Sequence, residues 1–104
     1  MTDEHKVEAT EDALLLVSGS RGDKGKDKDY VKKLSNAILQ VFYKHDTVKM
    51  RCVGAASLNN AVKAFIIAKE ECQKQQDSII MDPEFTEVEF QGDVKTGILI
   101  HVSL

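Results

Sequence analysis

Between Ser18 and Lys33 the chain reads SGSRGDKGKDKDYVKK, which sets six basic side chains, three aspartates and three glycines between an apolar run and an apolar periodic segment. Lysine and arginine at this density are suited to neutralising phosphate oxygens, a contact that reads charge and not base edges. In the first part of the stretch Arg21, Lys24, Lys26 and Lys28 oppose Asp23, Asp27 and Asp29, a net of only +1. Alternating charge with glycine is also the composition of a solvated connector. The anion reading gains weight because the stretch runs into a helix whose free N–H groups attract anions, and Lys32 and Lys33 extend the positive charge.

A second basic pair, Lys49 and Arg51, alternates with Val48, Met50 and Cys52, so both cations share one face of a strand and extend a basic stripe toward the loop. Tyr30, beside the loop, either stacks on a base or packs at a helix start. Ser57, Asn59 and Asn60, with the Gly54 backbone, resemble an anion site at a second helix, although an N-cap role explains Ser57 without a ligand. GSRGDKGK falls short of a phosphate loop, since GxxxxGK[ST] needs Ser or Thr where Asp27 stands. No nucleophile, base and orienting group can be assembled, and Glu87 and Glu89 fit a wet strand face better than an acid pair, so we expect no catalysis. Cys52 and Cys72 have no CxxC partner or nearby histidine, and His5, His45 and His101 read as surface or half-buried imidazoles. No metal and no cofactor is expected.

These residues need elements to position them. ALLLVS, Ala13 to Ser18, is a short continuous apolar run of the kind expected from a strand covered on both sides or central in a sheet. Val31, Leu34, Ile38 and Val41 recur at helical spacing and predict a helix over 28–44. TVKMRCV alternates as a strand with one wet face, and a second helix is expected over 57–75 with Ser57 as its N-cap. There Ala61, Phe65, Ala68 and Cys72 form the sheet-facing stripe. Leu58, Val62, Ile66 and Ile67 widen the apolar arc beyond one sheet's need, which marks them as a dimer interface. SIIM and FTEVEF read as a strand interrupted or bent at Asp82-Pro83, joined through a QGD turn to VKTGILIHVSL as an antiparallel hairpin. The order βαβαββ makes the economical solution an α/β two-layer sandwich, a mixed four-stranded sheet with both helices on one face.

Residues 1–12 carry one lysine against five acids and no periodicity, so they read as a disordered acidic tail before a single domain at 13–104. Charge is uneven beyond it. Residues 13–76 hold twelve basic against six acidic side chains, whereas 77–104 hold only Lys95 against six acids. No run approaches the roughly 20 apolar residues of a membrane span and the opening lacks the apolar centre of a signal peptide, so an intracellular, soluble protein without a membrane partner is expected, cytoplasmic or nuclear. In that setting the RGD tripeptide is a chance match.

VGAASLNNAVKAFIIAK, Val53 to Lys69, and DPEFTEVEFQGDVKTGILIHV after it closely resemble the stage V sporulation protein S family, a branch of the Alba-like superfamily. The carrying positions are Gly54, Ala55, Leu58, Asn59, Ala61, Val62, Lys63 and Ala64, then Pro83, Phe85 and Thr86, and the similarity spans about residues 14 to 103. The resemblance implies an Alba-like fold, a homodimer, and binding of RNA or DNA, with the opening loop facing nucleic acid. Two departures stand out: a longer charged loop at 19–29, and an acidic final hairpin (Glu84, Glu87, Glu89, Asp93) where Alba-type proteins resemble one another in having basic arms. The combined expectation is a non-catalytic module that binds nucleic acid weakly and with little sequence preference through Arg21, Lys24, Lys26, Lys28, Lys32, Lys33, Lys49 and Arg51. Its rival is an assembly module whose basic and acidic faces join neighbouring chains without nucleic acid.

Overall fold

The computed structural model describes residues 13–19 and 24–104. Six elements succeed one another: β1 (Leu14–Leu16), α1 (Lys24–His45), β2 (Val48–Cys52), α2 (Ala55–Lys74), β3 (Ile80–Phe90) and β4 (Asp93–Ser103). The strands form one sheet in the order β1-β2-β4-β3, with β1 parallel to β2 and the other two pairings antiparallel. This is the α/β two-layer sandwich with a mixed sheet, consistent with the Alba-like fold. Period-two alternation builds its core. Leu15, Val48, Met50, Cys52, Ile100 and Val102 point to one side of the sheet and pack with Leu34, Ile38, Ala61, Ala64, Phe65 and Ala68 of the helices.

Four expectations about the elements need correction. β1 is neither central nor covered on both sides: it is a three-residue edge strand, and Leu16 is 49% exposed. The crossover through α1 sets β2 inside the sheet, so only Leu15 reaches the helix layer while Leu14 and Leu16 lie across from Lys49 and Arg51 on the open face. Helix α1 begins at Lys24, well before position 28, and takes Gly25 into its first turn. Opposite charges at helical spacing, Lys24 with Asp27 and Asp29 with Lys33, favour that extension over a free loop.

Helix α2 begins at Ala55, with Gly54 at the N-cap position and φ of 93°, and no side chain caps it. Ser57 sits inside the first turn and its Oγ donates to the Val53 and Gly54 carbonyls at 2.9 and 3.0 Å, so it is not the cap. Strand β3 runs unbroken through Pro83, which pairs with Ile100. Because β3 is the outer strand, a residue without an N–H is tolerated there.

The hairpin turns on Gln91 and Gly92, with φ of 52° and 83° between the paired Phe90 and Asp93, a two-residue loop whose double positive φ matches the strand twist. Only Ile98 to Val102 of β4 pair with β2, so the far half of the hairpin extends past the body of the sheet. Gly97 stands at that fork: a Cβ there would lie 2.8 Å from the Cys52 carbonyl oxygen and 3.3 Å from methyls of Val53 and Val88. A side chain at 97 would push β2 away from β4.

Candidate nucleic-acid interface

The β1–α1 connection leaves the sheet beside the basic strand. Val17 N–H donates to the Arg51 carbonyl at 3.0 Å, and at the other end of β1 the Lys49 N–H donates to the Ala13 carbonyl at 2.9 Å. Ser18 is then held from two helices, its N–H donating to Tyr30 Oη at 2.8 Å and its carbonyl accepting from Asn60 Nδ2 at 3.1 Å. Gly19 comes so close to α2 that an added Cβ would meet Ala56 Cβ at 3.3 Å and Ser57 N at 3.6 Å. The start of the connection is thus fixed by β2, α1 and α2 together.

Those bonds settle several side chains. Tyr30 is 3% exposed and its hydroxyl accepts from Ser18, so it packs at the helix start and is not free to stack on a base. Asn60 is buried and occupied by the Ser18 carbonyl, whereas Asn59 is exposed. Nothing in the sequence singled out Asn60 for this role, because its partner lies 42 residues away.

The expected phosphate-binding cations fall into two groups. Arg21 lies outside the described residues. Lys24, Lys26 and Lys28 stand in the first turns of α1 and not in a loop, with Lys28, Lys32 and Lys33 exposed on the helix layer. Lys49 and Arg51 are half-buried on the opposite, open face of the sheet. The structure therefore does not make one continuous stripe of the described cations: Lys28, Lys32 and Lys33 stand on the helix layer, and Lys49 and Arg51 on the other side of the sheet. On the open face, register sets Arg51, Leu99 and Glu84 in one cross-strand row and Lys49, His101 and Asp82 in the next. His101 Nε2 lies 3.4 Å from Glu84 Oε1. With strands about 4.8 Å apart, the acidic row of β3 is about 10 Å from the basic row of β2, and a phosphate is repelled as it moves toward the hairpin.

The expected dimer residues also divide. Leu58 and Val62 are half-buried and Ile66 is exposed along one side of α2, but Ile67 lies about 100° further round the helix from Ile66 and nearly opposite Leu58. Two apolar side chains that strand periodicity did not mark share the helix-side face of the hairpin: Phe85 is 81% and Val94 64% exposed. Val94 lies beyond the part of β4 that pairs with β2, and Phe85 stands on the outer strand across from Ile98, positions that alternation alone does not reveal.

Chemistry elsewhere is sparse. Burial pushes the Cys52 thiol up to about 11, which makes it an unreactive core group. Among the described residues no group of His, Cys, Asp and Glu is arranged to hold a metal ion, and no helix is long and apolar enough to cross a membrane. A family model described as Stage V sporulation protein S (SpoVS) matches residues 26–104, from the first turn of α1 to the end of the chain.

Proposed function

Since the chain belongs to the stage V sporulation protein S family, we propose that it is a non-catalytic nucleic-acid-binding module that grips phosphates at the β1 edge of its sheet. The observation that carries this reading is the anchored connection: Val17 is tied to Arg51, Ser18 to Tyr30 and Asn60, and the chain then enters a helix bearing Lys24, Lys26, Lys28, Lys32 and Lys33. A connection pinned at its start presents cations at low entropic cost. Arg51 and Lys49 supply the sheet-side contacts, Arg21 adds charge from the connection, and the α1 lysines supply the rest. Lysines in this role discriminate little between sequences, and RNA and DNA are both accommodated.

The same proposal includes a homodimer. Leu58, Val62 and Ile66 of α2 would be covered by a second copy, and Phe85 and Val94 add apolar surface that the single chain leaves exposed. A second reading, assembly through opposite charges without nucleic acid, is favoured by one feature only: β2 is basic and β3 acidic on the same open face, so a second copy turned end for end would match them.

Anisotropy titration of nuclease-treated protein with a short single-stranded RNA and a DNA duplex, at about 50 and about 200 mM salt, tests the choice. Each phosphate contact contributes about 0.7 to 0.9 to the log–log salt slope. The Lys28→Ala, Lys32→Ala, Lys33→Ala triple variant should weaken binding and lower the slope by about 2. No binding at either salt, with self-association that dissolves on adding salt, would replace the first reading with the second.

A further inference from the structure

We propose that the outer edge of β3 takes up a lysine- or arginine-rich extended segment of a partner protein as an added strand of the sheet. The proposal does not depend on nucleic-acid binding. β3 is the last strand of the sheet, 11 residues long, and it pairs with β4 one-to-one from Ile80 to Phe90 without a bulge. The direction of its backbone groups follows from the bonds of β2. The Lys49 N–H and the Arg51 carbonyl bond toward β1, so Val48, Met50 and Cys52 turn their backbone groups to β4, where they meet Val102, Ile100 and Ile98. Leu99 and His101 then turn theirs to Glu84 and Asp82 of β3, and the alternate residues Met81, Pro83, Phe85, Glu87 and Glu89 turn theirs outward. Pro83 agrees with this direction, since the residue without an N–H falls where no bond to β4 is lost. Among the described residues no strand pairs with the outer side of β3. Beyond Pro83 the strand carries none of the devices that blunt an edge: no lysine, no bulge and no short span.

Charge selects the occupant of that edge. Asp82 and Glu84 stand on the open face and Glu87 and Glu89 on the helix side, all exposed, with Phe85 between the two pairs. Self-pairing of β3 would bring two such acidic rows side by side, and phosphate is repelled for the same reason. A basic segment is matched on both faces. Run antiparallel to β3, it has cations opposite Glu89, Glu87, Glu84 and Asp82 and an apolar residue opposite Phe85, which gives the order Lys-x-Lys-x-Val-Lys-x-Lys. Strand periodicity sets this order, because acids at 82 and 84 on one face and at 87 and 89 on the other require the partner's cations to change face once, beside Phe85. His101 Nε2, 3.4 Å from Glu84 Oε1, approaches from β4, on the side away from the added strand. The N–H groups of Phe85, Glu87 and Glu89 and the carbonyls of Pro83, Phe85, Glu87 and Glu89 supply the ladder, so the backbone provides affinity and the carboxylates provide selectivity.

The probe is the end-blocked peptide Lys-Thr-Lys-Thr-Val-Lys-Thr-Lys, titrated to about 1 mM against the ¹⁵N-labelled full chain. Binding should shift the backbone amides of Phe85, Glu87 and Glu89 and slow their hydrogen exchange, and leave those of Lys33 and Ile67 unmoved. N-methyl groups on the third and fifth peptide residues, whose amides face β3, should weaken binding at least about tenfold, two backbone hydrogen bonds being lost, whereas N-methyl groups on the fourth and sixth should change it little. That contrast holds charge constant and needs no variant of the protein. Asp82→Asn, Glu84→Gln, Glu87→Gln and Glu89→Gln together should weaken binding about tenfold at low salt, each exposed pair being worth roughly a factor of two, with the loss fading as salt screens them. No shift along β3, equal binding of the two N-methylated peptides, or equal binding of a peptide with Glu in place of Lys would overturn the proposal. So would slow exchange of the Phe85, Glu87 and Glu89 amides in the free protein, the mark of a second copy already paired there.

Discussion

Asn60→Ala should destabilise the domain through a residue that no neighbour in sequence explains. The Asn60 amide is 4% exposed and gives its Nδ2 proton to the Ser18 carbonyl at 3.1 Å. Truncation removes that bond and leaves the carbonyl without it in a partly buried site, at a cost of about 1–3 kcal/mol. Near 2 kcal/mol, the melting temperature of a domain this size falls by about 8–16 °C. Tyr30→Phe deletes only the hydroxyl that accepts from the Ser18 N–H at 2.8 Å, and about 1 kcal/mol should be lost. Because the two bonds hold opposite sides of one residue, the double variant should lose less than the sum, with a coupling of about 0.5 kcal/mol or more. Calorimetry or urea melts on the four proteins measure this cycle. A shift below about 3 °C for Asn60→Ala, or strict additivity of the pair, would show that Ser18 is not clamped and that the connection is held some other way.

Single positions elsewhere carry their own expected outcomes. Gly97→Ala forces a Cβ against the Cys52 carbonyl, a backbone atom that cannot rotate aside, so about 1–3 kcal/mol should be lost in denaturant melts; an unchanged midpoint would mean that β2 and β4 separate freely. The Cys52 thiol, raised from 9.0 to about 11, stays protonated in the fold while the unfolded chain ionises. Its stabilising contribution is complete below pH 9 and lost as pH rises toward 11, by about 1.4 kcal/mol per unit. Wild type should therefore lose melting temperature faster than Cys52→Ala across that window, and parallel curves would rule out the buried thiol as the cause. Under the proposed dimerisation, wild type should sediment as a dimer and Phe85→Ser with Val94→Ser as a monomer with the far-ultraviolet circular dichroism intact, and a wild type that sediments as a monomer would refute it.

The order and type of the elements could be read from the chain because period is a local property: Val48, Met50 and Cys52 alternate, and Leu34, Ile38 and Val41 recur at helical spacing, whatever the rest of the molecule does. The QGD turn was legible for the same reason, since Gln91 and Gly92 are adjacent in sequence. What the sequence misjudged was decided at a distance. An apolar run such as ALLLVS looks the same at the edge of a sheet as at its centre, and only the strand order made β1 an edge and so allowed Leu16 to face solvent. Pro83 reads as a break until its strand proves to be the outer one. Ser57 reads as a cap until the turn of Gly54 starts the helix earlier and turns its hydroxyl back on the preceding carbonyls. The basic residues were legible as charge, but their division between the helix layer and the open sheet face was not, because charge is carried by single residues whereas a face is defined by which strands pair and in what register.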